Sequence, residues 1–159
     1  MTNQLMQTYY PTFEMYQALR QQLMEILSDD DLAFRLDGNP VLGELCREMG
    51  EVEQAYIDSF KTGTLDFGYQ HPEATTLEEN VAGLVAWYGV LDAELKETVA
   101  ALSDEDIANT LIDRGAFKLP PNINLFIYNE AQLIFYGKVT VYLRAMGKAL
   151  PEQWQDWIG

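Results

Sequence analysis

The sequence predicts an all-α protein, a four-helix bundle with one longer crossover between its halves. Four stretches of the 159-residue chain repeat apolar residues at alternating spacings of three and four, the signature of amphipathic helices. Short Ser/Asp segments that look like capped helical turns follow the first and third of these stretches. No stretch of useful length alternates with the period of two that marks a strand.

The first helix is expected from about Thr12 to Leu27, with Tyr16, Leu19, Leu23 and Ile26 along one face and Pro11 and Thr12 as starting residues. The second runs from about Pro40 to Phe60 on a stripe of Leu42, Leu45, Met49, Val52 and Tyr56, with Glu44, Arg47, Glu51 and Asp58 away from it. The third, the clearest, runs from about Thr76 to Leu102 through Leu77, Val81, Leu84, Tyr88, Leu91, Leu95 and Thr98. Glu78 and Glu79 fall in its expected first turn, where the helix dipole favours negative charge. The fourth runs from about Asn122 to Met146. Leu125, Gln132, Tyr136, Val139 and Leu143 form one line, and Tyr128, Phe135, Tyr142 and Met146 form a second beside it. Pro120 and Pro121 open this helix, Gly147 ends it and Pro151 blocks its continuation. Gly137 sits in its middle, where glycine costs about 1 kcal/mol relative to alanine.

The segments LSDDDLAFRL (27–36) and LSDEDIANTL (102–111) share six of ten positions. In each a serine precedes an aspartate by three, a capping-box spacing. Neither has the glycine and glutamate that a calcium-binding EF-hand loop requires. The crossover, about Lys61 to Thr75, is rich in Gly, Thr and Asp. A single domain over 1–159 is expected from the length.

Composition narrows the function. Asp and Glu number 25 against 10 Lys and Arg, a formal net charge of −15, which disfavours nucleic acid and anionic membrane surfaces as partners. The single cysteine, Cys46, forms no internal disulfide. No leader pattern and no apolar stretch near 18 residues is present, so a cytoplasmic location is expected. His71, in the crossover, is the only histidine, so any Ser-His-Asp or Cys-His system would have to use it, and a three-histidine zinc site within the chain is impossible. No Glu-x-x-His pair of the di-iron bundle type occurs. Glu48 lies about 70° from the centre of the second helix's stripe, at the border of the core. Asn129 and Gln132 project toward the apolar arc of the fourth helix, on which Tyr136 lies. Glu48, Asn129, Gln132, Tyr136 and His71 are therefore the candidate pocket residues.

The run FYGKVTVYLRAMG resembles the last helix of the DinB/YfiT-like superfamily, which reads H-x-x-x-H-x-G-Q followed by an apolar run, L-R and G. Gly137 takes the motif glycine, Lys138 replaces the glutamine, and Leu143, Arg144 and Gly147 fall in register. PVLGELCREMGEVEQAYI resembles the family's second-helix motif, closing on Val52 and Glu53, and LSDEDI ahead of helix four is also similar. The resemblance implies a four-helix bundle in which position 137 is small so that a neighbouring element can approach. In the family's enzymes three histidines hold a divalent metal; the matching positions here are Glu48, Ala131 and Phe135. The resemblance therefore implies no catalytic residue or cofactor in this chain, and a small-ligand- or protein-binding role in place of enzymatic activity. The alternative is a metal-dependent thiol transferase whose altered site is built from Glu48, Gln132 and His71. A homodimer is expected, because many relatives are dimers and because Tyr9, Tyr10, Trp87, Tyr128, Trp154 and Trp157 exceed what four stripes need. The competing use for Trp154 and Trp157 is to fold back over the bundle.

Overall fold

The computed structural model describes residues 2–158. The first half comprises α1 (Gln4–Thr8), α2 (Tyr10–Ile26), α3 (Asp29–Leu32) and α4 (Leu42–Thr62). The second half comprises α5 (Ala74–Leu77), α6 (Val81–Ala101), α7 (Asp104–Asn109), a hairpin of β1 (Ile112–Asp113) and β2 (Lys118–Leu119), α8 (Pro121–Ala145) and α9 (Glu152–Trp157). The four long helices α2, α4, α6 and α8 make the bundle, and α4 packs against both α6 and α8. Both anticipated short turns form, each closed by a reciprocal Ser/Asp capping box: Ser28 with Asp31, and Ser103 with Asp106.

Three elements depart from expectation. The helix expected from Thr76 begins at Val81, because the Asn80 side chain accepts a hydrogen bond from the Gly83 N–H and caps it there. Glu78 and Glu79 thus lie outside its first turn, and Glu78 accepts a 2.8 Å hydrogen bond from Arg47 Nε instead. Residues 110–119 form the small hairpin, with Ile112 opposite Leu119. Asp113 also ties to the crossover: its N–H donates to Gly63 O and its carbonyl accepts from the Leu65 N–H, each at 2.8 Å. The segment before Tyr10 is helical too. Asn3 caps α1, and its Nδ2 donates to Val99 O and Leu102 O at 2.7 Å, anchoring the segment on the end of α6.

Two glycines set how closely α4 meets its neighbours. A Cβ on Gly43 would lie 1.9 Å from the Glu78 carbonyl oxygen, and one on Gly50 would lie 2.3 Å from the Trp87 ring. The aromatic residues are mostly spent inside: Tyr10, Tyr128 and Trp154 are buried, and Trp157 packs edge-on to Tyr16. Trp154 Nε1 donates to Leu19 O at 3.0 Å and its ring stands 5.0 Å from Tyr136, so α9 folds back on the bundle. Tyr9 and Trp157 stay exposed, so the aromatic argument for a dimer loses only part of its basis. Exposed large apolar side chains include Ile123, Phe126, Leu133, Ile134 and Val141 on α8, and Phe67, Val90, Leu111 and Phe117 outside it. No helix among the described residues is long and apolar enough to cross a membrane.

Candidate functional site

The positions singled out by the family motif meet across the α4–α8 interface. Glu48 and Ala131 line a cleft of about 200 Å³ with Leu45, Met49, Val52, Ile134, Phe135 and Lys138. The stripe of α4 supplies one wall, and the side of α8 that carries Ala131, Ile134, Phe135 and Lys138 supplies the other. Phe135 is buried, 5% exposed, with its ring 5.6 Å from that of Tyr136. Glu48 and Lys138 are exposed at the rim. The cleft is thus an apolar slot with one acidic and one basic side chain at its mouth.

The donor set does not fit the metal that the family resemblance implies. Alanine and phenylalanine offer no lone pair, which leaves Glu48 as the single carboxylate, and three protein ligands are the minimum for a catalytic zinc. Among the described residues no three His, Cys, Asp or Glu side chains converge to hold a metal ion.

The other sequence candidates are dispersed. His71 sits over the Trp87 ring at 4.6 Å; its N–H donates to Glu51 Oε1 and its Nδ1 accepts from the Glu73 N–H, so it organises the crossover and not the cleft. Gln132 is fully buried. Tyr136 is buried as well, donating from its hydroxyl to Tyr16 O at 2.5 Å. Asn129 lines a different groove, about 260 Å³, between α2 and α8, with Thr12, Phe13, Tyr16 and Phe126. Glu48, Gln132 and His71 therefore do not assemble into the altered metal site considered above. Cys46 is buried, its thiol pushed up to about 12 by burial, so it is no nucleophile.

A buried polar layer crosses the bundle beneath these surfaces, and sequence reasoning did not find it. Arg20 of α2 is 1% exposed; it donates from Nη1 to Glu53 Oε2 of α4 at 2.5 Å and from Nη2 to Asp92 Oδ1 of α6 at 2.6 Å. Its guanidinium also stacks 4.0 Å over the Tyr88 ring, and Gln17 Nε2 donates to the same Asp92 oxygen. Burial first, then the adjacent Glu53 carboxylate, raises the Asp92 pKa to about 7 against the pull of Arg20. Glu53 Oε1 is buried without a hydrogen-bond partner. Burial and the Glu53 charge likewise hold the Tyr128 phenol protonated. Tyr128 OH and both amide atoms of Gln132, one turn apart on α8, have no protein partner.

Gly137 behaves differently from the expectation. A Cβ built there meets nothing within 4 Å, so no element of this chain presses against it.

No protein-family model matches the chain, and no curated protein matches it. Among solved structures it is similar to a DinB-like protein, YjoA of Bacillus subtilis, with a TM-score of 0.66 and 18% identity over 86% of this chain and 90% of that one. At that identity the likeness establishes the fold: this chain is an all-α bundle of the DinB-like type.

Proposed function

We propose that this chain, built on a DinB-like fold, is a non-catalytic binding bundle whose α4–α8 cleft takes a small, mainly apolar guest without a metal. The observation that carries the reading is the identity of the cleft's lining. Where the family resemblance implies three metal-binding histidines, one cleft presents Glu48, Ala131 and Phe135 among Leu45, Met49, Val52 and Ile134. An apolar slot with two charges at its rim binds by excluding water from a hydrocarbon surface, and its rim orients a single polar group. Its volume of about 200 Å³ lies below the usual range for drug-sized ligands, which selects one ring or a short aliphatic chain.

Two measurements test this. Elemental analysis of protein purified without chelator is expected to show no stoichiometric transition metal; one zinc or nickel per chain would overturn the reading. Methyl NMR with neutral monocyclic aromatics such as toluene and phenol is expected to shift the Val52, Ala131 and Ile134 signals. Ala131→Phe, which fills the slot, should abolish those shifts while the protein stays folded. Shifts that survive this substitution, or that centre on Thr12 and Phe126, would move the site to the other groove.

A further inference from the structure

We propose that the groove between α2 and α8 is a second binding site, separate from the α4–α8 cleft, and that it takes an organic ammonium ion bearing at least one N–H and apolar substituents. The groove encloses about 260 Å³. Phe13 and Tyr16, three apart on α2, line it together with Leu125, Phe126 and Asn129 of α8. Tyr9, the residue that caps α2, lines it as well. Phe13 and Leu125 are buried and make the floor, whereas Tyr9 and Phe126 are exposed and make the open sides. The rings are held in place from behind. Phe13 packs against Tyr10 and Tyr128 with centroids 5.6 and 5.2 Å away, and Tyr16 meets Trp157 edge-on at 5.8 Å. The groove is thus formed before a guest arrives, which spares the guest the cost of ordering it.

Asn129 gives the groove its chemistry. Its Oδ1 is buried and accepts no hydrogen bond within the chain. Buried acceptors in native proteins are nearly always paired, so an unpaired one in the wall of a groove points to a donor that comes with the guest. The guest must therefore carry an N–H or O–H on an otherwise apolar body.

Three further features select a cation among such donors. Aromatic rings attract an ammonium through their electron-rich faces, and four of the lining residues are aromatic. Among the described residues no charged side chain lines the groove, so nothing there repels a cation and nothing neutralises an anion. The formal net charge of −15 raises the local concentration of cations around the whole chain. A charged N–H also makes the stronger hydrogen bond to Asn129. A quaternary ammonium would satisfy the rings and leave Asn129 unpaired; a neutral alcohol would pair with Asn129 and gain nothing from the rings' charge distribution. The groove rewards charge and donor together.

Methyl and side-chain amide NMR of the full chain at pH 7, with total salt held constant, tests this with three probes of nearly one shape. Trimethylammonium has the charge and the N–H, tetramethylammonium has the charge alone, and tert-butanol has the donor alone. Trimethylammonium should shift the Thr12 and Leu125 methyl signals and the Asn129 side-chain amide saturably, with a Kd of about 1 mM, weak because the probe has so few atoms. The other two should bind at least about five-fold more weakly. Asn129→Leu should bring trimethylammonium down to the level of tetramethylammonium, and Asn129→Asp should tighten it. Phe126→Ala, at an exposed position, should weaken it several-fold. Ala131→Phe, which fills the other cleft, should change nothing, because the two sites share no lining residue. Should Asn129→Leu fail to fold, judged by circular dichroism, Asn129→Asp and Phe126→Ala still decide. No saturable shift by about 50 mM trimethylammonium overturns the proposal. So does equal binding of tert-butanol or of tetramethylammonium, or a set of shifts centred on Val52 and Ile134.

Discussion

Replacing Arg20 with methionine should expose what the buried polar layer contributes. Methionine occupies similar length and adapts to irregular space, so Arg20→Met leaves little cavity and the loss is mainly electrostatic. What remains is Glu53, fully buried, with no cation, beside Asp92. Breaking a buried pair by removing one partner costs about 3–5 kcal/mol, a large part of the 5–15 kcal/mol typical of a domain. The stacking of the guanidinium on Tyr88 is lost as well. The cost must depend on pH, and its sign follows from Asp92. Its folded pKa, about 7, lies above the ordinary 3.8, so between these values the native state holds a proton that the unfolded chain has released. Parent stability therefore falls as pH rises through that window. Arg20 opposes the upward shift; without it the native carboxyl group keeps its proton to higher pH, and the fall continues above pH 7 instead of levelling off. The deficit of Arg20→Met relative to parent should therefore be larger at pH 8 than at pH 5, by up to about 1.4 kcal/mol. Urea denaturation of both proteins at the two pH values, with m checked for constancy, measures it. A deficit equal at both pH values, or below about 1 kcal/mol at pH 8, would refute the assignment of this layer as an ionic one.

Phe135→Ala should cost about 3–5 kcal/mol in chemical denaturation, because the ring is core; a cost below about 1 kcal/mol would mean an open, relict cleft. Ala131→His combined with Phe135→His places two donors four residues apart opposite Glu48, and zinc should raise the melting temperature of this double variant but not of the parent. Gly50→Ala should destabilise by about 1–3 kcal/mol, since the new methyl group meets the Trp87 ring; Gly137→Ala, in dilute protein, should stabilise by about 0.5–1 kcal/mol. Thermal melts of the two alanine variants falling in the opposite order would contradict the packing described for α4 and α8.

The bundle was legible because burial on one side imposes a period, and the four stripes carry it without interruption. Ser28–Asp31 and Ser103–Asp106 were legible for a different reason: capping is local chemistry between residues three apart. The start of α6 was misplaced because the apolar spacing runs through Leu77, while the decision lies with the Asn80 side chain. The polar layer was missed although each member leaves a trace. Arg20, Glu53 and Asp92 each stand next to a stripe residue (Leu19, Val52 and Leu91), and a single sequence does not say that these charges on three helices meet at one level. The close glycines Gly43 and Gly50, seven apart on α4, were an unread signal of the same kind. For Gly137 the motif frame carries the residue but not the side of the helix on which its neighbour stands. The candidate pocket scattered for that reason too: periodicity places Glu48, Asn129, Gln132 and Tyr136 on arcs, and only the packing of helices sorts arcs into separate clefts.

The hydrogen bond from Trp154 to Leu19 joins residues 135 positions apart, and Asn3 reaches Val99 and Leu102 across 96 and 99 positions. Such contacts govern the order of events during synthesis. As the chain leaves the ribosome, α4 and α6 can pair before α8 is made, but the wall around Tyr136 stays unsealed until Trp154 has been made. Until then the nascent bundle has an exposed apolar seam and must avoid aggregation, and the closing step bears the entropy of joining the most distant parts of the chain. In hydrogen exchange, the amides of α9 should therefore open ahead of the α4–α8 centre.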